Sequence, residues 1–408
     1  MNILFLSLSD LKDLDVRGIY PDLLNAFAER GNHVYIVSPF QRRTGAKPCV
    51  IRVNERVTIL RVKIGNSTKT NLIEKGISTL TLEYLVKRAI RKHFSRIRFD
   101  LVIYPTPPIT FCGAVSYIKK RDHAATYLML KDIFPQNSLD LQMLSKGGIK
   151  GLIYRMFRRK EQKLYAISDH IGCMSEGNVR YLLEHETHIP REKIGLCPNA
   201  IKIHDVSLSA EEKLALRKKY GLPADRKILL YGGNVGKPQG IDFILRCLKA
   251  IKDREDVCVL VVGSGTEYHR LEAHREEIRQ ENLYLMKEIS PADFDHLTAC
   301  CDIGLVFLDH RFTIPNIPSR ILSYMQAEIP LLTATDPVTD LRQIVTENGF
   351  GLSCESVDEK AFVKALDQLL ASDLQAMGRK GRAFLEQEYD VNKVCDHILQ
   401  TLKSGVKV

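Results

Sequence analysis

A glycine-rich segment over residues 229–245 has the residue types that bind phosphate. Its pattern predicts a strand, a loop and then a helix, with glycines at 232, 233, 236 and 240. Glycine lets backbone N–H groups approach an anion closely, and the N-terminus of a following helix adds its dipole. No Gly-Lys-Ser/Thr ends the loop, and no Gly-x-Gly-x-x-Gly turn is present, so it matches neither standard nucleotide motif. We predict a phosphate-binding loop here, with an ordinary strand-to-helix turn as the alternative.

A second glycine turn follows about thirty residues later, at Val261–Glu267, with glycines at 263 and 265. Successive β-α units of one domain place such turns at the same edge of a sheet. Gly263 and Gly265 are therefore expected beside the first loop.

A third segment combines a helix start with a cation. Pro318 and Ser319 precede Arg320, which is predicted to lie in the first helical turn. A guanidinium can bind two phosphate oxygens at once, which makes Arg320 the leading candidate for a diphosphate ligand. The alternative is a capped helix with a solvated arginine.

Polar residues of the first half follow predicted strands and are candidates for binding a second substrate. Lys131 and Asp132 come directly after an apolar strand, Glu176 follows another, and Asn199 lies near the middle of the chain. Lys131 suits an acceptor phosphate, and Asp132 suits a sugar hydroxyl, which it would orient or whose proton it would share. A structural salt bridge is the alternative for Lys131 and Asp132. No metal site is expected, because the Asp-x-Asp pairs at residues 13 and 293 lie in a loop and at a helix start.

These residues need a scaffold, and the pattern of the chain predicts an α/β fold. Short β-branched runs alternate with helical segments in two series, one before and one after residue 203. We predict two Rossmann-like, doubly wound domains facing across a cleft, over residues 1–203 and 204–385. A C-terminal helix over 386–408 is expected to pack back toward the first domain.

Composition excludes several classes of protein. The 408 residues are 45% hydrophobic and 26% charged, which fits neither a disordered nor a collagen-like chain. No uncharged apolar run is long enough to span a bilayer, the start lacks the pattern of a signal peptide, and the cysteines are scattered. A cytoplasmic protein is expected.

The motifs together resemble those of retaining glycosyltransferases of the GT-B type, family 4. The closest likeness is to bacterial enzymes that transfer N-acetylated aminosugars or deoxyaminosugars in capsule and O-antigen synthesis. It rests on Leu130-Lys-Asp-Ile-Phe-Pro-Gln, on the loop from Gly233 to Gly240, and on Pro318-Ser-Arg. The resemblance implies a nucleotide-sugar donor, a UDP sugar in our reading, bound by the second domain. It further implies retention at the anomeric carbon without a metal or other cofactor, and a polyprenyl-diphosphate-linked saccharide as acceptor.

The chain departs from that family at several donor-binding positions. Most members hold the diphosphate with Arg and Lys five residues apart, where this chain has Asn234 and Gln239. We expect Lys237 and Arg320 to substitute, helped by the amide of Gly236. Two family glutamates are replaced by Pro315 and Ser323, which leaves Ser323 to hydrogen-bond to the donor.

The positive charge lies in the first half of the chain. Residues 1–200 contain 32 Lys and Arg against 18 Asp and Glu, within a total net charge of +10. Two basic amphipathic segments, 87–98 and 146–163, suit an anionic membrane surface, unless their apolar stripes pack on the sheet. Nucleic acid is not expected as a partner, because the chain has no Trp and no zinc or helix-turn-helix pattern.

The sequence thus predicts a glycosyltransferase that is peripheral on the inner face of the cell membrane. Asp132, Lys237 and Arg320 are its predicted catalytic residues. The enzymatic alternative is a nucleotide-sugar 2-epimerase of the same fold, which would need carboxylates in the cleft. The non-enzymatic alternative is a protein that only binds a sugar or nucleotide.

Overall fold

A computed structural model describes residues 1–66 and 72–405, which fall into two compact units. Unit 1 comprises Met1–Asn199 and the C-terminal segment from Val391, and unit 2 comprises Ala200–Asp390. The chain therefore changes unit after residues 199 and 390, where the sequence prediction placed the boundaries at 203 and 385. Each unit is built on a mainly parallel sheet, so the predicted α/β class is confirmed.

The regular elements alternate between strands and helices along the chain. The strands are β1 (Asn2–Leu6), β2 (His33–Gln41), β3 (Cys49–Arg52), β4 (Val57–Ile64), β5 (Leu101–Pro105), β6 (Ala125–Leu130), β7 (His170–Cys173), β8 (Ile194–Leu196), β9 (Lys227–Asn234), β10 (Val257–Ser264), β11 (Leu283–Met286), β12 (Ile303–Phe307), β13 (Leu331–Thr335) and β14 (Gly351–Glu355). The helices are α1 (Ile19–Glu29), α2 (Leu72–His93), α3 (Cys112–Asp122), α4 (Gln136–Asp140), α5 (Gly148–Ile167), α6 (Glu176–His185), α7 (Ala210–Lys219), α8 (Ile241–Ala250), α9 (Tyr268–Glu277), α10 (Pro291–Ala299), α11 (Arg320–Gln326), α12 (Leu341–Glu347), α13 (Glu359–Leu370), α14 (Leu374–Glu388) and α15 (Val391–Gly405).

The described strands of unit 1 form one sheet in the order β3-β4-β2-β1-β5-β6-β7-β8. β1 lies in its interior, with Ile3 opposite both Val34 of β2 and Leu101 of β5. Residues 3–6 are fully buried, as expected for a parallel strand covered on both faces. β3 is the one strand that the sequence analysis missed. It is a short antiparallel edge strand whose Cys49 and Val50 are exposed, so it lacks a buried apolar run.

The C-terminal helix α15 belongs to unit 1 and packs on α1. Arg30, which follows α1, donates to both carboxylate oxygens of Asp396, at 2.5 and 2.9 Å, and to the backbone oxygen of Asn392. A bidentate pair of this kind fixes the orientation of both groups, so it sets the position of α15 on the unit.

Unit 2 contains a parallel sheet in the order β11-β10-β9-β12-β13-β14. Its first helix, α7, begins with a capping box in which Glu212 N donates to Ser209 Oγ and Ser209 N donates to the Glu212 carboxylate. β9 continues through Gly232 and Gly233 to Asn234, so the strand includes the first two glycines of the loop.

All ten cysteines lie in the described part of the chain, and all are free thiols. Of the helices described, none has the length and apolar content that crossing a membrane requires.

Candidate functional site

A cavity of about 590 Å³ lies in unit 2 at the carboxyl ends of β9, β10, β11 and β12. The residues that line it come from these strand ends, from the start of α10 and from the segment leading into α11. They are Gly232, Gly233, Asn234, Gln239, Val262, Gly263, Ser264, Glu288, Ile289, Pro291, Phe294, Leu308, Asn316, Pro318, Ser319, Arg320 and Ser323. β9 has β10 on one side and β12 on the other, so the strand order reverses here, which is where open α/β sheets bind ligands.

The two glycine turns are direct neighbours in the sheet. Gly233 of β9 pairs with Gly263 of β10, and Asn234 pairs with Ser264. A Cβ on Gly263 would stand 1.9 Å from the carbonyl oxygen of Gly233, so only glycine allows the two backbones to approach this closely. The predicted placement of both turns at one sheet edge is confirmed.

Arg320 is the one cation among the described residues that line this cavity. Its guanidinium carbon lies 4.3 Å from the centre of the Tyr231 ring, and Nη2 lies 3.4 Å from the backbone oxygen of Asn234. Its other terminal nitrogen, Nη1, is buried and has no hydrogen-bond partner among the described residues. A buried unpaired N–H of a charged group is costly, and an anion bound beside the guanidinium would reduce that cost.

Asn234 and Gln239 hydrogen-bond to each other, with 3.1 Å between Nδ2 and Oε1. The same Gln239 oxygen accepts from the N–H of Gly236 at 2.9 Å. The neutral side chains of Asn234 and Gln239 therefore hydrogen-bond within the glycine loop and hold it closed. This corrects the expectation for Gly236, because its amide is used inside the loop.

Two further predicted residues lie outside the cavity lining. Lys237 is exposed and is not among the lining residues, which does not support its expected role at the diphosphate. Gly265 is needed for packing, since its φ is +156° and a Cβ there would stand 2.1 Å from the carbonyl oxygen of Val235. Ser319 and Ser323, which the sequence predicts to bind the donor, line the cavity.

Several lining residues were not found from the sequence, among them Phe294, Glu288 and Asn316. Phe294 of α10 packs over Gly232, where a Cβ would stand 2.3 Å from its ring. Glu288 follows β11, and its carboxylate lies 3.3 Å from the hydroxyl of Ser264. Asn316 precedes α11. Glu288 had a usable signal, because it is a polar residue just beyond a strand that pairs with β10.

The candidate acceptor residues of unit 1 lie beyond the carboxyl ends of three neighbouring strands. Lys131 and Asp132 follow β6, Glu176 begins α6 after β7, and Asn199 follows β8. Lys131 Nζ donates to the backbone oxygen of Cys197 at 2.7 Å, and burial lowers the pKa of this lysine. The structure therefore gives Lys131 a structural bond that links the segments after β6 and β8.

Asp132 is half-buried and accepts a 2.7 Å hydrogen bond from Asn137 Nδ2. Burial raises the pKa of Asp132 to about 6, against the lowering effect of hydrogen bonds from the Ile133 backbone and Asn137. A carboxyl with a pKa near neutrality suits the sharing of a proton. Glu176 is exposed, and Asn199 Nδ2 contacts Met174 Sδ at 3.6 Å.

The two basic segments differ in structure. Ile90 and Phe94 of segment 87–98 are buried, which corrects the expectation that this stripe faces a membrane, because it packs into unit 1. On α5 the apolar stripe is exposed.

Over residues 1–66 and 72–405, no three potential metal ligands cluster together.

Comparisons with known proteins agree with this architecture. Residues 212–384 match the family model of glycosyl transferases group 1. The chain is 24% identical to the probable glycosyltransferase WbjE of Pseudomonas aeruginosa, over 80% of both chains. It is 23% identical, over 74% of both, to WcaI of Escherichia coli (strain K12), which is named as a colanic acid biosynthesis glycosyl transferase.

Among solved structures, HepE of Anabaena in complex with UDP-glucose superposes with a TM-score of 0.71. The match covers 99% of this chain and 100% of HepE at 13% identity, so it bears on the fold alone. Together, these matches show a glycosyl transferases group 1 domain within residues 212–384, on a chain with the GT-B fold.

Proposed function

We propose that this glycosyltransferase moves an N-acetylated aminosugar from a UDP-linked donor to a polyprenyl-diphosphate-linked saccharide, with retention, in cell-surface polysaccharide synthesis. The name of WcaI supports the polysaccharide, and the UDP-glucose bound to HepE supports the nucleotide. Retention, the aminosugar and the lipid-linked acceptor follow from the sequence resemblance. The reaction takes no metal.

The observation that carries the proposal is Arg320 in the unit 2 cavity. In the reaction the bond from the anomeric carbon to the diphosphate breaks, and a bond to the acceptor oxygen forms on the same face. The acceptor proton goes to the departing diphosphate. Arg320 would stabilise the charge that develops there, because its guanidinium is the one cation among the described residues that line the cavity.

Asp132 has the complementary role in unit 1. Its carboxylate orients the acceptor hydroxyl, which makes the oxygen a better nucleophile while the diphosphate takes the proton. Glu176 and Asn199 bind other parts of the acceptor. Lys131 holds the strand ends in place through its bond to Cys197.

The enzyme acts as a peripheral protein at the inner face of the cell membrane. Unit 1 supplies the attachment, since it holds the excess of positive charge and the exposed stripe of α5. Anionic lipids attract such surfaces with about 1 kcal/mol per near-surface cation.

The test is to incubate the purified protein with UDP- and GDP-sugars and a synthetic prenyl-diphosphate sugar, followed by mass spectrometry. Transferred sugar with a retained anomeric configuration supports the proposal. An epimerised donor would instead identify an epimerase, and binding without product would identify a binding protein. Among the described lining residues of the cavity, Glu288 is the one carboxylate, which does not favour an epimerase.

A matched pair of variants tests the donor site. Arg320→Ala should weaken UDP binding by about thirtyfold, because a hydrogen bond to a charged group contributes about 2 kcal/mol. Arg342→Ala removes an exposed arginine of the same unit, paired with Glu355 at 3.5 Å, and should leave binding unchanged. Equal UDP affinity in the two variants would refute the assignment of Arg320.

A further inference from the structure

A second cavity, of about 750 Å³, lies in unit 1 between α2, α3 and α5. It is lined on one side by Glu83 of α2 with Gly113 and Ser116 of α3, and on the other by residues of α5. We call it the α5 groove. All of its lining residues belong to unit 1, and none is a candidate acceptor residue.

The α5 groove is strongly basic. Arg155, Arg159, Lys160 and Lys163 line it, against the single carboxylate of Glu83. That carboxylate is already engaged, since Lys160 Nζ lies 3.3 Å from Oε2 and the N–H of Gly113 donates to Oε1. The cations other than Lys160 are exposed, so the groove presents positive charge to a ligand.

The apolar stripe of α5 borders this row of cations. Ile149, Leu152, Ile153 and Met156 follow the spacing of one helix face, yet they are 79, 60, 38 and 37% exposed. The buried face of α5 is different and contains Leu164 and Tyr165. Leu152 and Met156 belong both to the exposed stripe and to the lining of the groove, so apolar and cationic surfaces meet there.

We propose that the α5 groove binds the headgroup of an anionic phospholipid, whose acyl chains lie against the exposed stripe of α5. A phosphate needs cations with free N–H groups, and an acyl chain needs apolar surface, and this is the arrangement along α5. The inference rests on the membrane attachment proposed above. It deepens that proposal by assigning the attachment to one cavity. A diffuse positive surface, by contrast, would attract lipids without a defined binding site.

The test compares two double variants of α5 that each remove two charges. Arg159→Ala with Lys163→Ala removes two of the cations that line the groove. Lys146→Ala with Lys150→Ala removes two exposed lysines, one just before α5 and one in its first turn, that do not line the groove. All four side chains are exposed, so neither variant should unfold, which thermal unfolding of the full chain checks.

Vesicles of phosphatidylcholine with phosphatidylglycerol are sedimented with each protein in about 0.5 M salt, where the Debye length is roughly 4 Å and diffuse attraction is small. The groove variant should lose about tenfold or more in binding, and the control variant less than about twofold. Equal losses, or no loss in either, would overturn the assignment of the groove while leaving vesicle binding by the parent protein intact. Failure of the parent to bind at this salt concentration would overturn the groove, and failure in about 0.1 M salt as well would overturn the membrane attachment, although UDP binding would still report on the donor site.

A competition experiment separates a lipid from a soluble phosphate. Short-chain phosphatidylglycerol should displace the protein from vesicles at far lower concentration than glycerol 3-phosphate, because only the lipid contacts the apolar stripe. Equal potency of the two would identify a soluble phosphate as the ligand and overturn the lipid assignment.

Discussion

The aromatic ring of Tyr231 lies directly under the guanidinium of Arg320, with 4.3 Å between the ring centre and the guanidinium carbon. The hydroxyl of Tyr231 donates to the backbone oxygen of Asn234 at 2.7 Å, and Arg320 Nη2 also approaches that oxygen. The Tyr231 ring, the backbone at Asn234 and the Arg320 guanidinium are therefore in mutual contact. We infer that Tyr231 positions Arg320 in the cavity, without itself lining it.

Substituting Tyr231 should change donor binding through Arg320. Tyr231→Leu removes the ring, and the loss of a cation–π contact of about 1 to 2 kcal/mol should weaken UDP binding roughly five- to thirtyfold. Tyr231→Phe keeps the ring and should bind within about threefold of the parent protein. Calorimetric titration with UDP, well below the unfolding temperature, gives both values. If Phe and Leu weakened binding equally, the ring would not be what positions the arginine.

Gln239 offers a test of charge alone. Its side-chain oxygen accepts from both Asn234 and Gly236, and a carboxylate could accept both bonds equally well. Gln239→Glu should therefore keep the loop closed but place a negative charge beside the bound diphosphate. We expect UDP affinity to fall by about tenfold in low salt and by less in high salt. A loss that did not depend on salt would mean that the loop itself had changed.

The sequence predicted the α/β class, most strands and the two paired glycine turns, because these depend on local runs of apolar residues and on glycine spacing. It missed β3, which is an exposed edge strand, and Phe294, whose role depends on how α10 packs against Gly232. It also assigned Lys237 to the diphosphate, since adjacency to a glycine loop suggests proximity. Side-chain direction and tertiary packing decide such details, and neither is encoded in the spacing of a motif.

Asp132 should make stability depend on pH. Its carboxyl has an ordinary pKa near 4 when unfolded, and burial raises the native pKa to about 6. The native state therefore binds more protons between these values, so stability falls as pH rises through this window. Asp132→Asn removes the effect, and between pH 5 and pH 7.5 the variant should gain on the order of 1 kcal/mol over the parent protein. Thermal unfolding at several pH values measures this, and a constant difference across pH would contradict it.

The same variant should lower activity without affecting the donor. Transfer to the acceptor should fall because an amide cannot share the proton of the hydroxyl, and the acidic limb of the parent's rate profile near pH 6 should disappear. UDP binding should stay unchanged, since every donor residue lies in unit 2. An unaltered pH profile would exclude Asp132 from the acceptor site.

A buried charge network between α5 and the end of α6 provides a prediction about stability alone. Glu161 and Glu186 are only 2 and 4% exposed, and Arg158 pairs with both. Burial raises the pKa of Glu161 to about 7, although Arg158 lowers it and the hydroxyl of Tyr165 donates to it at 2.8 Å. Arg158 is therefore the cation that offsets the free-energy cost of burying these two carboxylates.

Arg158→Met should destabilise unit 1 by about 3 to 5 kcal/mol at pH 8, because it leaves both carboxylates buried without their cation. The loss should shrink near pH 5.5, where Glu161 takes up a proton. Arg159→Met is the matched control, because the neighbouring arginine is exposed, and it should cost less than about 0.5 kcal/mol. Thermal unfolding of both variants at the two pH values decides the matter. Equal destabilisation by the two variants would show that the ion pairs of Arg158 contribute nothing beyond an exposed charge.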